Sequence, residues 1–392
     1  MFEAYRDKVQ LDPEKYIFVV YQLNSTENVH KAAWDLAIGQ SVGNPNVRNS
    51  WESDELFEEH SCLITHVDEQ NKIAEIAFPV INTNWEEDGI AHLLCQIMGG
   101  QTDIDHIIKS RAIDIQIPNS VKKYFKPPLY GLRGYRKFTN RYDKPLLGGI
   151  IKPKTGLRPN QLLDMVKQMV DGGVDFIKED EILSNPAFCS LKDRVPLIAN
   201  YLSNSGRNVA YHFCINGDPH VIQERAKFVA REGGNGIHIN VWSGLGAIRS
   251  IRMLDLPLFI HYQKSGEKTF SHPDNRYGIS WPVLCELAGL AGADTIHAGM
   301  FGGYSSDDPV MLSQAIEKLN NYGTIPALSC GMHPGIVNHI TDNFGCDYLA
   351  NVGGAINGHP GGTEAGARAM RQAIDRTWGE EYDAAVKKWG TI

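Results

Sequence analysis

The sequence lacks the features that mark several classes of protein. Its 38 Lys and Arg residues are outnumbered by 46 Asp and Glu residues, and no basic stripe indicates a nucleic-acid partner. No run of about eighteen apolar residues and no signal-peptide pattern is present, so we expect a cytoplasmic protein with no membrane partner. The 7 cysteines are scattered and never spaced Cys-x-x-Cys, which argues for reduced thiols and against a thiolate zinc site.

The first third of the 392-residue chain has the pattern of a small α+β domain. Apolar alternation, turn residues and helix-capping residues predict elements in the order strand, helix, strand, strand, helix, strand. The predicted elements are residues 16–21, 28–40, 61–67, 72–78, 88–99 and 111–117. This is the order of a ferredoxin-like fold, so residues 1–125 are predicted to form an N-terminal ferredoxin-like α+β domain.

Strands and helices alternate strictly after a connector rich in proline and glycine at residues 126–145. The predicted strands are residues 146–152, 174–178, 208–216, 236–241, 257–262, 294–298, 325–329 and 348–353. Helical patterns between them include residues 159–172, 220–233, 281–291, 310–320 and 362–378. Eight βα units in about 250 residues are typical of a (β/α)8 TIM barrel, predicted here for residues 146–392. A doubly wound sheet is the alternative, but no Gly-x-Gly-x-x-Gly pattern follows the first of these strands.

One stretch of this region, GGVDFIKEDE at residues 172–181, joins a buried strand to a dense group of charges. Side chains alternate along a strand, so Lys178 and Asp180 face the same side, and Glu181 can turn inward where the strand ends. Burying a lysine beside two carboxylates costs free energy unless the charges are paired or bind a metal. A solvated run of charges is an equally good interpretation of this stretch taken alone.

Polar residues also follow most of the other predicted barrel strands, at the edge where TIM barrels hold their active sites. The candidates are Lys152, Lys154, Lys178, Asp180, Glu181, His261, His297, Ser329, Gly331, Gly353 and Gly354. Each has a structural interpretation of its own, because lone histidines are often core residues and Gly-Gly often forms a turn. Their recurrence at one edge favours a site in which glycine amides hold a phosphate and the charged residues provide a cation site and a proton carrier. We therefore predict a phosphorylated carbonyl substrate.

Five segments of the chain closely resemble the RuBisCO superfamily in order and spacing. They are GGIIKPKTGL at 148–157, GGVDFIKEDE at 172–181, ADTIHAG at 293–299, ALSCG at 327–331 and NVGGAINGHPGG at 351–362. The resemblance covers nearly the whole chain and implies a barrel fused to a ferredoxin-like domain. It also implies an antiparallel homodimer, or a higher assembly of dimers, in which the partner's N-terminal domain completes the active site.

The resemblance implies a role for each candidate residue. Lys178 would take up CO2 as a carbamate and bind Mg2+ together with Asp180 and Glu181, which gives the oxygen donors that a hard cation prefers. The resemblance further implies active-site roles for Lys152, Lys154, His261 and His297, and substrate or phosphate contacts for Ser329, Gly331, Gly353 and Gly354.

Several positions depart from the carboxylase pattern. Tyr262 stands where carboxylases have an arginine after the first histidine, and Tyr304 stands where they have the lysine of a flexible loop. In the N-terminal domain, Gly39 replaces a glutamate and Asn44-Pro45 replaces Thr-Trp. Losing the arginine removes a bidentate anion clamp, and losing the lysine removes the charge that stabilises CO2 addition.

These departures favour a RuBisCO-like protein that retains metal binding and enolisation but is not a carboxylase. The leading hypothesis is a Mg2+-dependent enolase or isomerase of a phosphorylated ketose, in the methylthioribulose-phosphate class of sulfur salvage, with Lys152 or a nearby group moving the proton. Enolase-type relatives use a lysine of the N-terminal domain as base, whereas this chain has Gln96 there. The alternatives are a transcarboxylase or hydrolase of a 3-oxo sugar acid phosphate, and a non-catalytic stress-response protein.

Overall fold

The strands of the chain form two separate sheets. The structure is a computed structural model that describes residues 3–44 and 46–392. The strands are β1 Tyr16–Ser25, β2 Leu63–Asp68, β3 Ile73–Pro79, β4 Ile107–Gln116, β5 Leu146–Ile150, β6 Phe176–Lys178, β7 Ala210–Cys214, β8 Gly236–Asn240, β9 Phe259–Gln263, β10 Tyr277–Ile279, β11 Thr295–Gly299, β12 Ile325–Leu328 and β13 Leu349–Val352.

The α-helices lie between these strands and after the last of them. They are α1 Val29–Gly39, α2 Asp54–His60, α3 Gly89–Ile97, α4 Asn119–Lys122, α5 Gly131–Thr139, α6 Pro159–Asp171, α7 Leu191–Asn204, α8 Pro219–Arg231, α9 Leu245–Arg252, α10 Lys268–Ser271, α11 Trp281–Leu290, α12 Pro309–Asn320, α13 Val337–Phe344, α14 Gly354–Asn357, α15 Gly362–Asp375 and α16 Glu380–Trp389. Within the described part of the chain, no helix is both long enough and apolar enough to cross a membrane.

The contacts divide the chain into two compact units. The first unit contains the residues up to Phe125 together with Gly266–Leu287. Its five-stranded sheet has the order β10-β4-β1-β3-β2, in which β1 pairs antiparallel with both β3 and β4, and β10 adds in parallel to β4. The Tyr21 hydroxyl on β1 donates to the Ile97 carbonyl at the end of α3 (2.8 Å), so the buried face of the sheet is joined to a helix.

The second unit is a closed barrel of eight parallel strands. Its strand order is β11-β12-β13-β5-β6-β7-β8-β9, and it contains Lys126–Ser265 and Ala288–Ile392. The strands are buried on both faces, as expected where helices cover a parallel sheet. The predicted TIM barrel with an N-terminal α+β sheet domain is therefore confirmed, and each of the eight predicted strands coincides with an observed barrel strand to within two residues at either end.

Helix α5 of the connector covers the end of the barrel at which the strands begin. The buried Tyr135 of this helix belongs to a core cluster with Leu146, Phe176 and Phe259, which come from three different strands. Gly131 begins the helix with φ +52°, and a Cβ there would lie 2.5 Å from the Gly323 carbonyl oxygen. Only glycine fits this close approach, which lets the helix pack against the barrel at the end where its strands begin.

The domain boundaries predicted from the sequence stay a prediction. The sequence assigned residues 266–287 to the barrel region, whereas their contacts place them in the first unit through β10 and α10. The pairing of β10 with β4 joins residues more than 160 positions apart, with the Ser110 amide donating to the Arg276 carbonyl (2.8 Å). A three-residue strand in a polar segment carries no periodicity that could have predicted this pairing.

Candidate active site at the mouth of the barrel

A cavity of about 660 Å3 opens at the carboxyl ends of the barrel strands. Ten of the eleven candidate residues line it: Lys152, Lys154, Lys178, Asp180, Glu181, His297, Ser329, Gly331, Gly353 and Gly354. The remaining candidate, His261, is fully buried and lies among the aromatic rings of Phe176 and His238 inside the barrel. The structure thus brings together residues from five strand ends that are separated by up to about two hundred positions in sequence.

The end of β6 supplies the charged group of the cavity. Lys178 and Asp180 are 1% and 2% exposed, which shows that this stretch is not a solvated run of charges. Lys178 Nζ lies 3.0 Å from Glu181 Oε2. Burial raises the pKa of Glu181, but the Lys178 ammonium and nearby hydrogen bonds outweigh it and lower the pKa to about 2. Glu181 is therefore a carboxylate at neutral pH, with its charge directed at the lysine.

Lys152 approaches the same group from the neighbouring strand end. Its Nζ lies 2.5 Å from Asp180 Oδ2, and its side chain is about one third exposed. Lys154, two residues further, also lines the cavity. Two lysines and two carboxylates therefore alternate across the ends of β5 and β6, so each buried charge has an opposite charge beside it.

Glu179 points to the other side of the same strand, as alternation requires. It pairs with Arg194 of α7 through two bonds of 2.7 and 2.9 Å, and both side chains are fully buried. The Tyr211 hydroxyl (3.1 Å) and the Cys214 amide (2.7 Å) also donate to this carboxylate. Glu179 thus anchors β6 to its surroundings and fixes the orientation of the residues on either side of it.

Three glycines and a serine at the ends of β12 and β13 form another part of the cavity lining. Ser329 follows β12, and its amide donates to the Gly299 carbonyl (3.0 Å). Gly331 has φ +115°, and a Cβ there would lie 2.6 Å from the Tyr304 amide nitrogen. Gly353 follows β13 directly, and Gly354 begins α14. Backbone approach without side chains is what an anion-binding wall needs.

His297 is the candidate histidine that faces the cavity. It lies on β11, is 5% exposed, and its Nε2 is 3.8 Å from the Cys330 sulfur. Burial, followed by the nearby charge of Lys264, lowers its pKa to about 3. His261 lies deeper, and burial holds its pKa well below the ordinary value. Both imidazoles are therefore neutral at physiological pH.

The positions that depart from the carboxylase pattern lie in different surroundings. Tyr262 is 1% exposed and is not a cavity residue, whereas Tyr304 lines the cavity and exposes most of its side chain. Gly39 and Gln96 line a cavity of about 450 Å3 within the first unit, where Thr83 donates to the Gln96 side chain (3.0 Å). Pro45 lies outside the described residues.

Sequence reasoning missed several residues that line the barrel cavity, among them Gln263, Cys330, His333, Asn351 and Trp389. Two of them carried a usable signal. Gln263 follows His261 by two positions, and Asn351 precedes Gly353 by two, so each shares a strand face with a predicted residue. Asn351 is 1% exposed, and neither polar atom of its side chain has a hydrogen-bond partner among the described residues.

The residues at the end of β6 fit a magnesium ion bound through a modified lysine. Among the described residues, no three His, Cys, Asp or Glu side chains are grouped so that they could hold a metal. Asp180 and Glu181 supply two carboxylates, and a carbamate on Lys178 would supply further oxygen atoms in the same place. An all-oxygen set of this kind suits Mg2+, which the unmodified ammonium would repel.

Comparison with known proteins identifies the family. The family model for the catalytic domain of the ribulose bisphosphate carboxylase large chain matches residues 131–389, and the model for its N-terminal domain matches residues 5–121. The chain belongs to the RuBisCO large-chain family. The resemblance noted in the sequence is thereby confirmed over nearly the whole chain.

Similar proteins within the RuBisCO family carry two different activities. A ribulose bisphosphate carboxylase of Archaeoglobus fulgidus is 28% identical, covering 100% of this chain and 99% of that protein. A 2,3-diketo-5-methylthiopentyl-1-phosphate enolase of Exiguobacterium sibiricum is 30% identical, covering 96% of this chain and 99% of that protein. A solved RuBisCO-like protein of Alicyclobacillus acidocaldarius superposes with a TM-score of 0.85 at 26% identity, covering 97% of this chain and 100% of that chain. The first two of these relatives are named as enzymes, and their reactions differ.

Proposed function

We propose that this chain is a Mg2+-dependent enolase or isomerase of a phosphorylated ketose and not a CO2-fixing carboxylase. One observation carries the proposal: a single cavity is lined both by the Lys178, Asp180 and Glu181 group at the end of β6 and by the Gly353-Gly354 backbone after β13. A substrate with a carbonyl and a phosphate could contact both sets of residues at once. The Exiguobacterium enolase, which acts on a methylthiopentyl phosphate, supports the methylthioribulose-phosphate class of sulfur salvage.

The cation would be held by Asp180, Glu181 and a carbamate formed from CO2 on Lys178. When bound, Mg2+ would polarise the substrate carbonyl and so acidify the neighbouring C–H bond. Lys152 Nζ lies 2.5 Å from Asp180 and lines the cavity. As a neutral amine, with Asp180 turned to the cation, it would receive the proton, and as an ammonium it would return it. Lys154 would hold the substrate by its charge, and removal of the proton would give an enediolate.

The phosphate would rest against Ser329, Gly331, Gly353 and Gly354. Ser329 would contribute its hydroxyl, because its amide already donates to the Gly299 carbonyl. Main-chain amides of glycines bind phosphate without the steric bulk of side chains. The position after His261 carries the buried Tyr262, and the loop position carries Tyr304, so neither supplies the cation that carboxylation requires. This favours enolisation of a substrate with one phosphate over addition of CO2.

We further propose an antiparallel homodimer, or a higher assembly of dimers, in which the partner's N-terminal domain completes each site. The cavity that Gly39 and Gln96 line in the first unit is the surface that would then face the partner. The solved relatives include an octameric RuBisCO of Pyrococcus horikoshii and a dimeric RuBisCO of Hyperthermus butylicus.

Solvent-exchange NMR tests the proposed reaction. The protein would be incubated in D2O with Mg2+ and bicarbonate and a panel of phosphorylated ketoses that includes methylthioribulose 1-phosphate. We expect deuterium at the carbon next to the carbonyl of at least one substrate, and no incorporation with Lys178→Met. Absence of exchange on the whole panel, or sustained CO2 fixation on ribulose bisphosphate, would contradict the proposal.

A further inference from the structure

A chain of hydrogen bonds leads from the barrel interior to the cavity. The Thr295 hydroxyl lies 2.6 Å from His261 Nδ1, and His261 Nε2 lies 3.2 Å from the Gln263 side-chain oxygen. The Gln263 side-chain nitrogen lies 3.2 Å from His297 Nδ1. All four residues are at least nine-tenths buried, so these bonds form away from bulk water. Gln263 is the link that connects the two imidazoles.

The direction of the two bonds made by Gln263 follows from its amide group. An amide oxygen only accepts hydrogen bonds and an amide nitrogen only donates them. The Gln263 oxygen lies at His261 Nε2, so that nitrogen carries the proton of the neutral ring. His261 Nδ1 is then unprotonated and accepts from the Thr295 hydroxyl. The Gln263 nitrogen lies at His297 Nδ1 and donates to it.

From this chain we infer that Gln263 is a positioning residue that holds His297 as the tautomer with its proton on Nε2. The inference deepens the proposed function and rests on it for the statement that His297 meets the substrate. His297 Nε2 lies 3.8 Å from the Cys330 sulfur, and both residues line the cavity, so this end of the ring is the one nearest to a ligand there. A ring whose Nδ1 already accepts a hydrogen bond has no free lone pair with which to remove a proton.

This tautomer assigns His297 a definite chemical task. A neutral imidazole N–H stabilises an oxygen on which negative charge develops, and its effect is largest where water is excluded. His297 would therefore donate to the enediolate oxygen and would not act as the base. The base is then sought among the lysines that line the cavity; Lys152 would accept a proton only in its neutral form, after its ammonium proton has been lost and its pair with Asp180 broken.

Nitrogen-15 NMR of the histidine rings tests the inference without reference to activity. Protein labelled with 15N-histidine would be measured at pH 7, and the His297 signals would be assigned by their loss in His297→Gln. We expect a protonated Nε2 and an unprotonated Nδ1 in the native protein. A protonated Nδ1 would overturn the inference. The tautomer is measured in the native chain, and His297→Gln serves only for the assignment; if it does not fold, His297→Asn would replace it.

The Gln263→Glu variant tests whether Gln263 sets the tautomer. A carboxylate only accepts hydrogen bonds, so it should draw the His297 proton from Nε2 to Nδ1. Gln168→Glu, an exposed change on α6, is the matched control and should leave the His297 signals as they are. An unchanged His297 tautomer in folded Gln263→Glu would show that Gln263 has no positioning role. Deuterium exchange that fails while the native tautomer is as expected would count against the proposed function alone.

Discussion

Two groups of buried charge leave the same strand and meet different surroundings. On the outer side of β6, the Glu179 carboxylate is bonded to Arg194, Tyr211 and the Cys214 amide, and it is fully enclosed. On the inner side, Lys178 and Asp180 are buried almost as deeply, but each has a single charged partner, and both line a cavity.

The difference separates structural charge from charge available to a ligand. A buried ion pair with every donor and acceptor satisfied has no capacity left for another group. The inner carboxylates make fewer hydrogen bonds, so they keep acceptor capacity for a cation or a substrate. Burial alone therefore does not separate the two groups, whereas the number of hydrogen bonds that each carboxylate already makes does.

The largest expected effect comes from breaking the outer pair. Arg194→Met leaves the Glu179 carboxylate buried without its cation, which should reduce the free energy of unfolding by about 3–5 kcal/mol. Urea denaturation would measure the loss. The double variant Glu179→Leu/Arg194→Met, which removes both charges, should recover most of it. A loss below about 1 kcal/mol in the single variant would contradict this prediction, because it would show that the Glu179–Arg194 pair contributes no more than an exposed ion pair.

For the inner group, Lys178 and Asp180, we expect substitution to reduce ligand binding more than stability. Asp180→Asn keeps the shape of the side chain but removes a charge from the proposed cation site, so Mg2+ affinity in bicarbonate buffer should fall by at least about 100-fold, or 2.7 kcal/mol. Calorimetric titration with Mg2+ would measure this, and urea denaturation should show a much smaller change in stability than for Arg194→Met. Unchanged Mg2+ affinity would remove Asp180 from the cation site.

The glycine wall gives a smaller effect. Gly331→Ala places a Cβ 2.6 Å from the Tyr304 amide nitrogen at a backbone φ of +115°, so the loop must shift and disturb the proposed phosphate-binding wall. We expect affinity for inorganic phosphate to fall about 10-fold, equivalent to about 1.4 kcal/mol. Gly246→Ala, where a Cβ would meet nothing within 4 Å, is the control. Equal phosphate binding by both variants would argue against this wall.

The smallest expected effect is the change in folding stability per pH unit that is caused by His212, in the enclosed part of the barrel. Burial lowers its pKa to about 3, and its Nε2 accepts from the Tyr135 hydroxyl at 2.7 Å. The unfolded chain binds this proton below about pH 6.5 while the folded chain does not, so stability falls between pH 6.5 and pH 3. The contribution is at most about 1.4 kcal/mol per pH unit.

Comparing native protein with His212→Gln at pH 6 and pH 5 isolates this contribution. Urea denaturation should show that the native protein loses about 1 kcal/mol more stability than the variant between these two pH values. An identical loss in both proteins would mean that His212 is protonated in the folded state, and would weaken the contrast between enclosed and open groups.

The sequence predicted the barrel and most of the cavity because both depend on local patterns. Strand length and alternation fix which side of β6 Lys178 and Asp180 face, and parallel strands bring their carboxyl ends to one edge. The same patterns gave no means to place His261 below the cavity, since strand alternation specifies the face of a side chain and not its depth along the barrel axis.

Contacts between residues that are distant in sequence were the other feature that the sequence could not predict. The bond of Glu179 to Arg194 and the link from His261 through Gln263 to His297 depend on how side chains from different elements meet. Residues 266–287 joined the first unit through β10, a strand too short to show any periodicity. Such contacts are set by tertiary packing, which a reading of composition and spacing cannot supply.

The central claim is that CO2 converts Lys178 from the cation of a salt pair into a ligand for Mg2+. Carbon-13 NMR with 13C-bicarbonate and Mg2+ measures this modification directly. The account predicts a carbamate carbon signal in the native protein that is absent from Lys178→Met. A native protein that binds Mg2+ without any carbamate signal, or that forms no carbamate at any bicarbonate concentration, would contradict it.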